Sequence, residues 1–363
     1  MRDLQDRTAK DVILHLLSVA GEDGIVQADL ARSSGFSRST VSFTLSILER
    51  SGLVRRMKVD GDVRVWLTRY APRIRTKRVR LGLIRALEYP FVIPLRSALR
   101  DRGFTLDLKV YDSGLDVMKD LLRGKLEAAL APFIMQLIFH ALSGGATRLL
   151  MTAAKGGASL IATMNVKAPN ELKDNKVAST ALSSMEAYVM AALRQHGIEE
   201  HEININYKSS AKDLCNALLE KEVEAVSLWE PYATFMELQG HCRIADYLEL
   251  LEEPLCCVLS IGPSFRGTEN LLKEAYSKAY TEFRSMMHHY VEAYLSIMAF
   301  PAQPSKKALY RFIFDDHFSF SEAYRTLSKL GLRHLTPSLK SALSHSEDQA
   351  SWSHFGHRGG VAE

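Results

Sequence analysis

The sequence predicts an α/β protein in which a small helical head precedes a larger domain of two α/β lobes. Its 363 residues exceed one ordinary domain, and 47% of them are hydrophobic against 24% charged, which provides enough apolar content for substantial cores. Residues 1–80 carry 16 Lys and Arg against 9 Asp and Glu, whereas the remaining residues carry 30 against 33. From residue 79 onward, strand-like runs alternate with helix-length segments, as is typical of α/β domains. The positive charge therefore belongs to the head.

The first 50 residues predict three helices. Thr8 and Asp11 form a capping-box pattern before VILHLLSVA, whose apolar residues recur at helical spacing. QADLARSSG predicts a short second helix that ends at Gly35, and Ser37 is placed to cap a third helix over RSTVSFTLSILER. This third helix has one apolar face and one small, polar face with a single aromatic residue.

The segment LVRRMKVDGDVRVWLT then predicts two strands joined at Asp60-Gly61, a strong signal for a hairpin turn. Three helices followed by a β-hairpin are the arrangement of a winged helix-turn-helix domain. The stretch FSRSTVSFTLSILERSGLVRR resembles the third helix of MarR-like prokaryotic regulators. The resemblance implies that residues 1–70 form a DNA-binding domain and that the protein regulates transcription. The basic charge of the head suits a phosphate backbone.

The third helix and the hairpin supply the candidate DNA contacts. They are Arg38, Ser39, Thr40, Ser42 and Phe43 on the helix, and Lys58 and Arg64 on the hairpin. Phe43 departs from the related regulators, which commonly place a basic residue there, although its ring is suited to contact a thymine methyl group. A winged helix that binds a protein, with its hairpin cations merely solvated, is the alternative. Because paired half-sites need two recognition helices, we expect a homodimer on double-stranded DNA.

The rest of the chain divides by composition. Residues 71–78 form a basic, proline-interrupted stretch that predicts a surface linker. Residues 79–302 predict the two-lobed domain, residues 303–345 a C-terminal helical extension, and residues 346–363 a disordered, polar tail. Because helix-length segments connect most of the strand-like runs, we expect the sheets to be largely parallel.

The order of five segments in the larger domain carries a second resemblance. They are VRLGLI, TLDLKVYDSGLDVMKDLLRGKLEAALAP, ELKDNKVAST, LRQHGI and VEAVSLWEPYA. Together they resemble the type 2 periplasmic-binding-protein fold of the NMT1/SsuA/TauA-like substrate-binding family. The resemblance implies two lobes that close over a small molecule, with binding groups on the loops at the carboxyl ends of the strands.

Two predicted helix N-termini are candidate ligand contacts. Ser113 in DSGLD and Ser183 in LSSME each stand before a helix with an acidic residue three positions on, and Ser184 follows in the first turn. Free N–H groups at such ends attract anions. The alternative is that each hydroxyl only caps its own helix.

The other candidate ligand contacts follow predicted strands. They are Arg85, Glu88, Tyr89, Phe133, Lys155, Trp229, Glu230 and Tyr232. Arg85 and Lys155 suit an acidic ligand, and the aromatic rings suit stacking on a ring. Glu230 lies in an aromatic setting, where a carboxylate is costly without a partner, so we expect the stretch VSLWEPYA to form a wall of the site. Plain packing is the alternative for each residue.

The four cysteines show no metal-ligand spacing, and Cys256 and Cys257 are adjacent, so a bridge between them would be strained. We therefore expect a cytoplasmic protein without a disulfide framework, metal or cofactor. No segment has the roughly 20 apolar residues that a membrane span needs. These features predict a transcriptional regulator that is not an enzyme and whose effector is a small, anionic or aromatic metabolite.

Two further classes stay open. The same fold occurs in the pyrimidine synthases of thiamine biosynthesis, which carry a longer cysteine cluster than this chain. A solute-binding protein of an ABC transporter is the other possibility, which the basic head disfavours.

Overall fold

The computed structural model describes residues 8–59, 62–71, 78–265 and 268–343. The Asp60-Gly61 turn, most of the predicted linker and the tail over 346–363 lie outside these residues.

The head contains three helices and a small antiparallel sheet. Its elements are α1 Ala9–Ala20, β1 Ile25–Val26, α2 Gln27–Ser34, α3 Arg38–Arg50, β2 Val54–Val59 and β3 Asp62–Leu67. The sheet has the strand order β1-β3-β2. The hydroxyls of Thr8 and Ser37 cap α1 and α3 by accepting from the N–H groups of Asp11 and Thr40. The three predicted helices and both predicted strands are thus confirmed, and the short β1 is an addition.

The larger domain follows in alternating order. Its strands are β4 Arg78–Ile84, β5 Thr105–Tyr111, β6 Ala128–Pro132, β7 Arg148–Gly156, β8 Ala158–Ala162, β9 Lys176–Ser179, β10 Asn204–Tyr207, β11 Ala225–Trp229, β12 Cys242–Asp246, β13 Leu255–Ile261 and β14 Phe312–Ile313. Its helices are α4 Val92–Arg100, α5 Gly114–Leu122, α6 Phe133–Leu142, α7 Ser184–Gln195, α8 Ala211–Leu219, α9 Tyr232–Leu238, α10 Tyr247–Leu250, α11 Glu269–Ser285, α12 Met287–Met298, α13 Ala302–Ala308, α14 Phe320–Lys329 and α15 Thr336–Leu343.

The strands form two sheets, one in each lobe. The first lobe has six strands in the order β14-β7-β13-β6-β4-β5, and the second has five in the order β10-β9-β11-β8-β12. Strands β4, β5 and β6 pair in parallel, as do β9, β10 and β11. The expectation of largely parallel sheets is corrected, because β13 runs antiparallel to both β6 and β7, and β8 runs antiparallel to both β11 and β12. Strands β8 and β13, which each follow a passage between the lobes, run antiparallel to their neighbours in the sheet that they enter.

The chain passes from the first lobe to the second between β7 and β8. Gly156 and Gly157 occupy this passage with φ of +77° and +70°, a region that favours glycine. A Cβ on Gly157 would lie 1.8 Å from the ring of Phe312, so no other residue fits there. The chain returns after α10 and enters β13. Two connections at one end of both sheets hold the lobes face to face.

The region predicted as a separate C-terminal extension, residues 303–345, belongs to the first lobe as far as it is described. Strand β14 pairs with β7 at the sheet edge, and Phe312, Phe318 and Phe320 are buried in the main core. Arg311 reaches the second lobe, where its Nη1 lies 2.6 Å from the Asp246 carboxylate. The expected boundary after residue 302 is therefore corrected, because β14 covers the edge of β7 and the buried face of α14 packs into the main core.

Candidate functional site

A cavity lies between the lobes where the parallel strands of both sheets end. Ile84, Asp112 and Pro132 from the first lobe and Thr180, Lys208 and Trp229 from the second stand at or just after these strand ends and line it. Binding sites of open α/β sheets form at this edge. The cavity volume of about 150 Å³ matches that of a protein cavity known to hold benzene, so a small molecule fits.

Two helix N-termini point into the cavity from opposite lobes, and their serines behave differently. Ser183 caps α7, since its Oγ accepts from the N–H of Glu186 at 3.3 Å and donates to the Thr180 carbonyl at 2.7 Å. The hydroxyl of Ser113 makes no capping hydrogen bond to α5. Because the first N–H groups of a helix have no partner within that helix, both ends can donate to an anion.

Two charged side chains that line the cavity, Lys208 and Asp112, are already paired. Lys208 Nζ lies 2.7 Å from Glu222, and Arg85 Nε lies 2.9 Å from Asp112. Tyr207 donates to the Glu186 carboxylate, which raises the pKa of the tyrosine to about 12. An anionic ligand would therefore be stabilised mainly by hydrogen bonds from the uncharged N–H and hydroxyl groups at the helix N-termini.

The floor of the cavity is a buried group of Glu88, Cys256 and Cys257. One ligand atom of each residue lies within 4.8 Å of the others, and the two Sγ atoms are 3.8 Å apart. Burial raises the pKa of Glu88 and raises that of Cys257 to about 11. The pKa of Cys256 is raised well above its usual value by its contact with Cys257 and by burial. Burial therefore disfavours the charged form of all three groups.

A second groove lies on the other side of Trp229 and has a volume of about 470 Å³. Tyr232, Arg85 and Cys215 line it, together with Trp229 itself. Burial raises the pKa of Tyr232 to about 12. The indole Nε1 of Trp229 donates to the Arg85 carbonyl at 3.0 Å, which joins the lobes between the cavity and the groove. Trp229 therefore lines both the cavity and the groove, whereas Tyr232 lines the groove.

Three residues expected at the ligand lie in the core behind the cavity. Tyr89 is fully buried with its ring edge against Phe91, and Phe133 packs edge to face with Phe318. Ser184 is buried and donates to the Cys256 carbonyl at 3.1 Å. Their placement at the cavity surface is corrected, because each follows a strand end but turns towards the sheet and its packed helices.

Lys155 and Glu230 also lie outside the cavity, and each forms an ion pair with another side chain of the protein. Lys155 Nζ lies 2.8 Å from Glu322 of α14, and this pairing outweighs burial and raises the pKa of the lysine. Glu230 is fully buried, and its Oε1 lies 3.0 Å from Arg243 Nη2. Burial raises the pKa of Glu230 against the opposing effect of Arg243. The partner that this carboxylate requires is thus an arginine and not a ligand.

The exposed face of α3 carries the candidate DNA contacts of the head. Phe43 is 67% exposed, and Arg38 is exposed in the first turn. The hydroxyls of Ser39 and Thr40 lie 2.8 Å from that of Ser37, and Ser42 is half-buried. This face is therefore open at its N-terminal half.

The hairpin contacts are less available than the sequence predicts. Arg64 Nη1 donates to the carbonyl of Asp23 at 2.8 Å, which ties the side chain to the loop after α1. The side chain of Lys58 lies outside the described part of the chain.

The head packs against the first lobe through the C-terminal ends of α3 and α5. Arg123, which follows α5, donates from Nε and Nη2 to the Arg50 carbonyl at 3.0 and 2.9 Å. Gly52 lies against Leu122, since a Cβ on this glycine would be 2.6 Å from the Leu122 Cβ. The guanidinium of Arg55 faces Gly124. Helix α5 thus has its N-terminus at the cavity and its C-terminus on the head.

Several cavity residues were not predicted from the sequence. Asp112 and Lys208 directly follow the strand-like runs TLDLKVY and EININY, and Thr180 ends the run KVAST, so the rule used for the other candidates could have found them. Met135 and the pair Cys256 and Cys257 carry no such signal, because long-range packing brings them to the cavity.

Solved structures of low sequence identity share the fold of the larger domain. The alkanesulfonate-binding protein SsuA from Xanthomonas axonopodis pv. citri, bound to MOPS, is 14% identical with a TM-score of 0.62, over 74% of this chain and 96% of that chain. The periplasmic aliphatic sulphonate binding protein SsuA from Escherichia coli is 18% identical with a TM-score of 0.59, over 72% and 94%. The periplasmic nitrate-binding protein NrtA from Synechocystis PCC 6803 is 12% identical with a TM-score of 0.58, over 77% and 91%.

These likenesses show that the two lobes have a type 2 periplasmic-binding-protein-like fold. No protein-family model matches the chain, and no curated protein matches it either. Among the described residues, no helix is both long enough and apolar enough to cross a membrane.

Proposed function

We propose that the protein is a cytoplasmic, ligand-responsive transcriptional regulator whose head binds double-stranded DNA and whose two lobes bind a small effector. One observation carries the proposal: α5 connects the cavity to the head, with Ser113 and Gly114 at the cavity and Arg123 on the Arg50 carbonyl. A ligand that accepts hydrogen bonds from the N-terminus of α5 would contact the same helix whose C-terminal end contacts α3. On this proposal, the domain binds its ligand without turning it over.

The effector is a small anion or small acid. The cavity is the size of a benzene ring, and two helix N-termini supply donors from opposite lobes. Solved proteins of the same fold bind sulfonates and nitrate, which supports an oxyanion as the recognised group. Apolar side chains of Met135 and Leu115 accompany these donors and suit a short aliphatic or aromatic body.

The head is proposed to bind DNA as a winged helix-turn-helix with α3 as its recognition helix. The open face of α3 ends in Arg38 and carries the exposed Phe43, and the lobe contacts the opposite end of the helix at Arg50. A helix of 13 residues is about 20 Å long, so the lobe leaves the N-terminal half free to enter a major groove. Two copies in a homodimer would reach half-sites about 34 Å apart.

Selection of duplexes from a random library by the full chain tests this proposal. We expect enrichment of an inverted repeat and an affinity that falls steeply with salt. Arg38→Ala should lower the slope of log affinity against log salt by about 1, whereas Arg96→Ala, at an exposed position on α4, should leave it unchanged. Sedimentation of the complex should give two chains per duplex. Failure of the unaltered protein to bind any duplex in a salt-dependent way would overturn the proposal.

A solute-binding protein of an ABC transporter is the second candidate. The solved structures that share the fold favour it, because those named above are sulfonate- and nitrate-binding proteins, two of them described as periplasmic. Calorimetric titration with methanesulfonate and nitrate, done beside the DNA selection, separates the two functions. Tight ligand binding without any DNA binding supports the transporter role, and ligand-dependent DNA binding supports the regulator.

A further inference from the structure

The buried group on the cavity floor has the donors and the spacing of a site for a thiophilic metal ion. Glu88 follows the first strand of the domain, and Cys256 and Cys257 lie on β13, so the fold brings them together from distant parts of the chain. Their ligand atoms lie within 4.8 Å of one another. Two thiolates and one carboxylate are donors that Zn²⁺ takes in proteins.

A β-bulge brings both thiols to the same place. Neighbouring residues on a regular strand point to opposite faces of the sheet. The register between β13 and β7 shifts between Leu255 and Cys257, where two β13 positions advance against one position of β7. This irregularity turns the two adjacent thiols towards each other, with 3.8 Å between the Sγ atoms. Bulges of this kind re-aim side chains and are frequent next to functional sites.

The distance between the sulfurs fits tetrahedral coordination. Zn–S bonds of about 2.3 Å at a tetrahedral angle place two sulfurs about 3.8 Å apart. The Sγ atoms of Cys256 and Cys257 are 3.8 Å apart. Two thiols in simple van der Waals contact have similar spacing, so a direct measurement of metal binding distinguishes the two arrangements.

Glu88 adds an independent observation. Its side chain is fully buried, and its Oε1 makes no hydrogen bond with any of the described residues. The thiols of Cys256 and Cys257 and the hydroxyl of Tyr89 lie beside the carboxyl and interact with it. A buried carboxyl oxygen without a donor costs free energy, and a bound cation would remove that cost.

We propose that Glu88, Cys256 and Cys257 form a three-donor site for Zn²⁺ or a similar thiophilic divalent cation, with the fourth coordination position open to the cavity. All three residues line the cavity, so the ion enters by the same path as the ligand. Binding releases the displaced protons to solvent. An open fourth position is the arrangement in which zinc binds water or a substrate group. The proposal deepens the proposed ligand site, because an anionic effector would bind the ion directly.

Cobalt titration of the full chain tests the site without DNA or effector, so its outcome is separate from that of the proposed function. Metal-free protein, kept reduced with a non-thiol reductant, should develop a thiolate-to-cobalt charge-transfer band that saturates at one ion per chain and is bleached by Zn²⁺. Cys257→Ser should abolish the band, and Glu88→Gln should weaken cobalt affinity about tenfold or more. Cys215→Ser, at a half-buried position in the other groove, is the control and should leave the band unchanged.

Cys257→Val, which keeps an apolar side chain at this buried position, serves where the serine variant does not fold. Azide, a small anion that coordinates cobalt, should shift the band if the fourth position is open. Absence of a charge-transfer band in the unaltered protein would overturn the site, and so would a band that persists in Cys257→Val or disappears in Cys215→Ser. A band that azide leaves unchanged would overturn the open position.

Discussion

At the scale of single residues, two serines in similar positions illustrate how a cap differs from a free donor. Ser183 and Ser113 both precede helices that open at the cavity, and the sequence predicts the same role for them. The hydroxyl of Ser183 satisfies the N–H of Glu186, whereas that of Ser113 makes no capping bond. The first hydroxyl therefore stabilises its helix, and the second is available to a ligand.

The pair gives a stability prediction. We expect Ser183→Ala to lower the free energy of unfolding by about 1 kcal/mol, because α7 loses its cap, and Ser113→Ala to change it by only a few tenths of a kcal/mol. Urea unfolding of both variants measures the difference. In ligand titrations we expect the opposite order of effects. Ser113→Ala should weaken ligand binding, whereas Ser183→Ala should weaken it only as far as its lower stability explains. Equal destabilisation by both substitutions would contradict the assignment.

Trp229 joins the two lobes through a single hydrogen bond. Its Nε1 donates to the Arg85 carbonyl, and its ring separates the cavity from the second groove. Trp229→Phe keeps most of the ring and removes the donor, so we expect a loss of about 1 kcal/mol in the free energy of unfolding and a more open pair of lobes. Small-angle scattering and urea unfolding measure these effects. Trp66→Phe is the matched control in the head, where the indole donates to the Glu22 carbonyl far from the lobes.

At the scale of elements, α5 holds a buried carboxylate that ties it to the neighbouring strand. Asp120 lies 2.9 Å from Lys109, 3.1 Å from Lys125 and 2.8 Å from the hydroxyl of Tyr111. Although burial opposes ionisation, these partners lower the pKa of Asp120 from 3.8 to about 2. Helix α5 is thereby fixed on the sheet between the cavity and the head.

This depressed pKa predicts a pH dependence. A carboxyl whose folded pKa lies below its unfolded pKa stabilises the fold above the unfolded pKa and loses that contribution as the pH falls through the folded pKa. We expect Asp120→Asn to destabilise the protein at pH 7 by about 1 kcal/mol after allowance for solvent screening, with the difference vanishing between pH 4 and 2. Asp116→Asn, on the exposed face of the same helix, is the control. A difference independent of pH would contradict the role of the charge.

The contact between α5 and α3 predicts an uncoupling variant. Arg123→Ala removes two hydrogen bonds to the Arg50 carbonyl but alters neither the cavity nor the open face of α3. On the proposed regulatory function, we expect DNA affinity without ligand and ligand affinity without DNA to be retained, while the coupling between them, typically about 1–3 kcal/mol, is largely lost. Fluorescence anisotropy with and without effector measures this coupling. Lys119→Ala, elsewhere on α5, should retain it.

At the scale of the whole molecule, what the sequence predicts depends on how local the signal is. The elements of the head and most strands can be predicted from periodicity, caps and turn residues that lie within a few positions of one another. The positions of Trp229 and Ser113 at strand ends can be predicted in the same way. The placement of Lys155 and Glu230 was wrong because their partners, Glu322 and Arg243, are chosen by packing between distant segments. The group on the cavity floor was missed for the same reason, since no spacing in the sequence links Glu88 to Cys256.

The C-terminal region shows the largest effect of such long-range packing, and it predicts the outcome of truncation. Residues 302–343 supply the edge strand β14, the carboxylates that pair Lys155, and Arg311, which faces Glu230 and Asp246. Without them β7 loses its edge strand, Lys155 loses both of its carboxylate partners, and the main core loses buried aromatic rings. We therefore expect a chain that ends at residue 301 to be insoluble or to unfold at a much lower temperature.

Removal of residues 346–363 alone is the matched truncation, and it should leave the thermal midpoint unchanged because the sequence predicts a disordered, polar tail there. Where the longer deletion prevents folding altogether, Glu322→Gln combined with Asp315→Asn isolates the ion pairs, since both neutralise the partners of Lys155 without removing the strand. That double variant should unfold several degrees below the unaltered protein in differential scanning calorimetry. An unchanged midpoint for both the double variant and the chain ending at 301 would mean that this region is an appendage of the lobe. A lowered midpoint means that the lobe's sheet is completed only by the end of the chain.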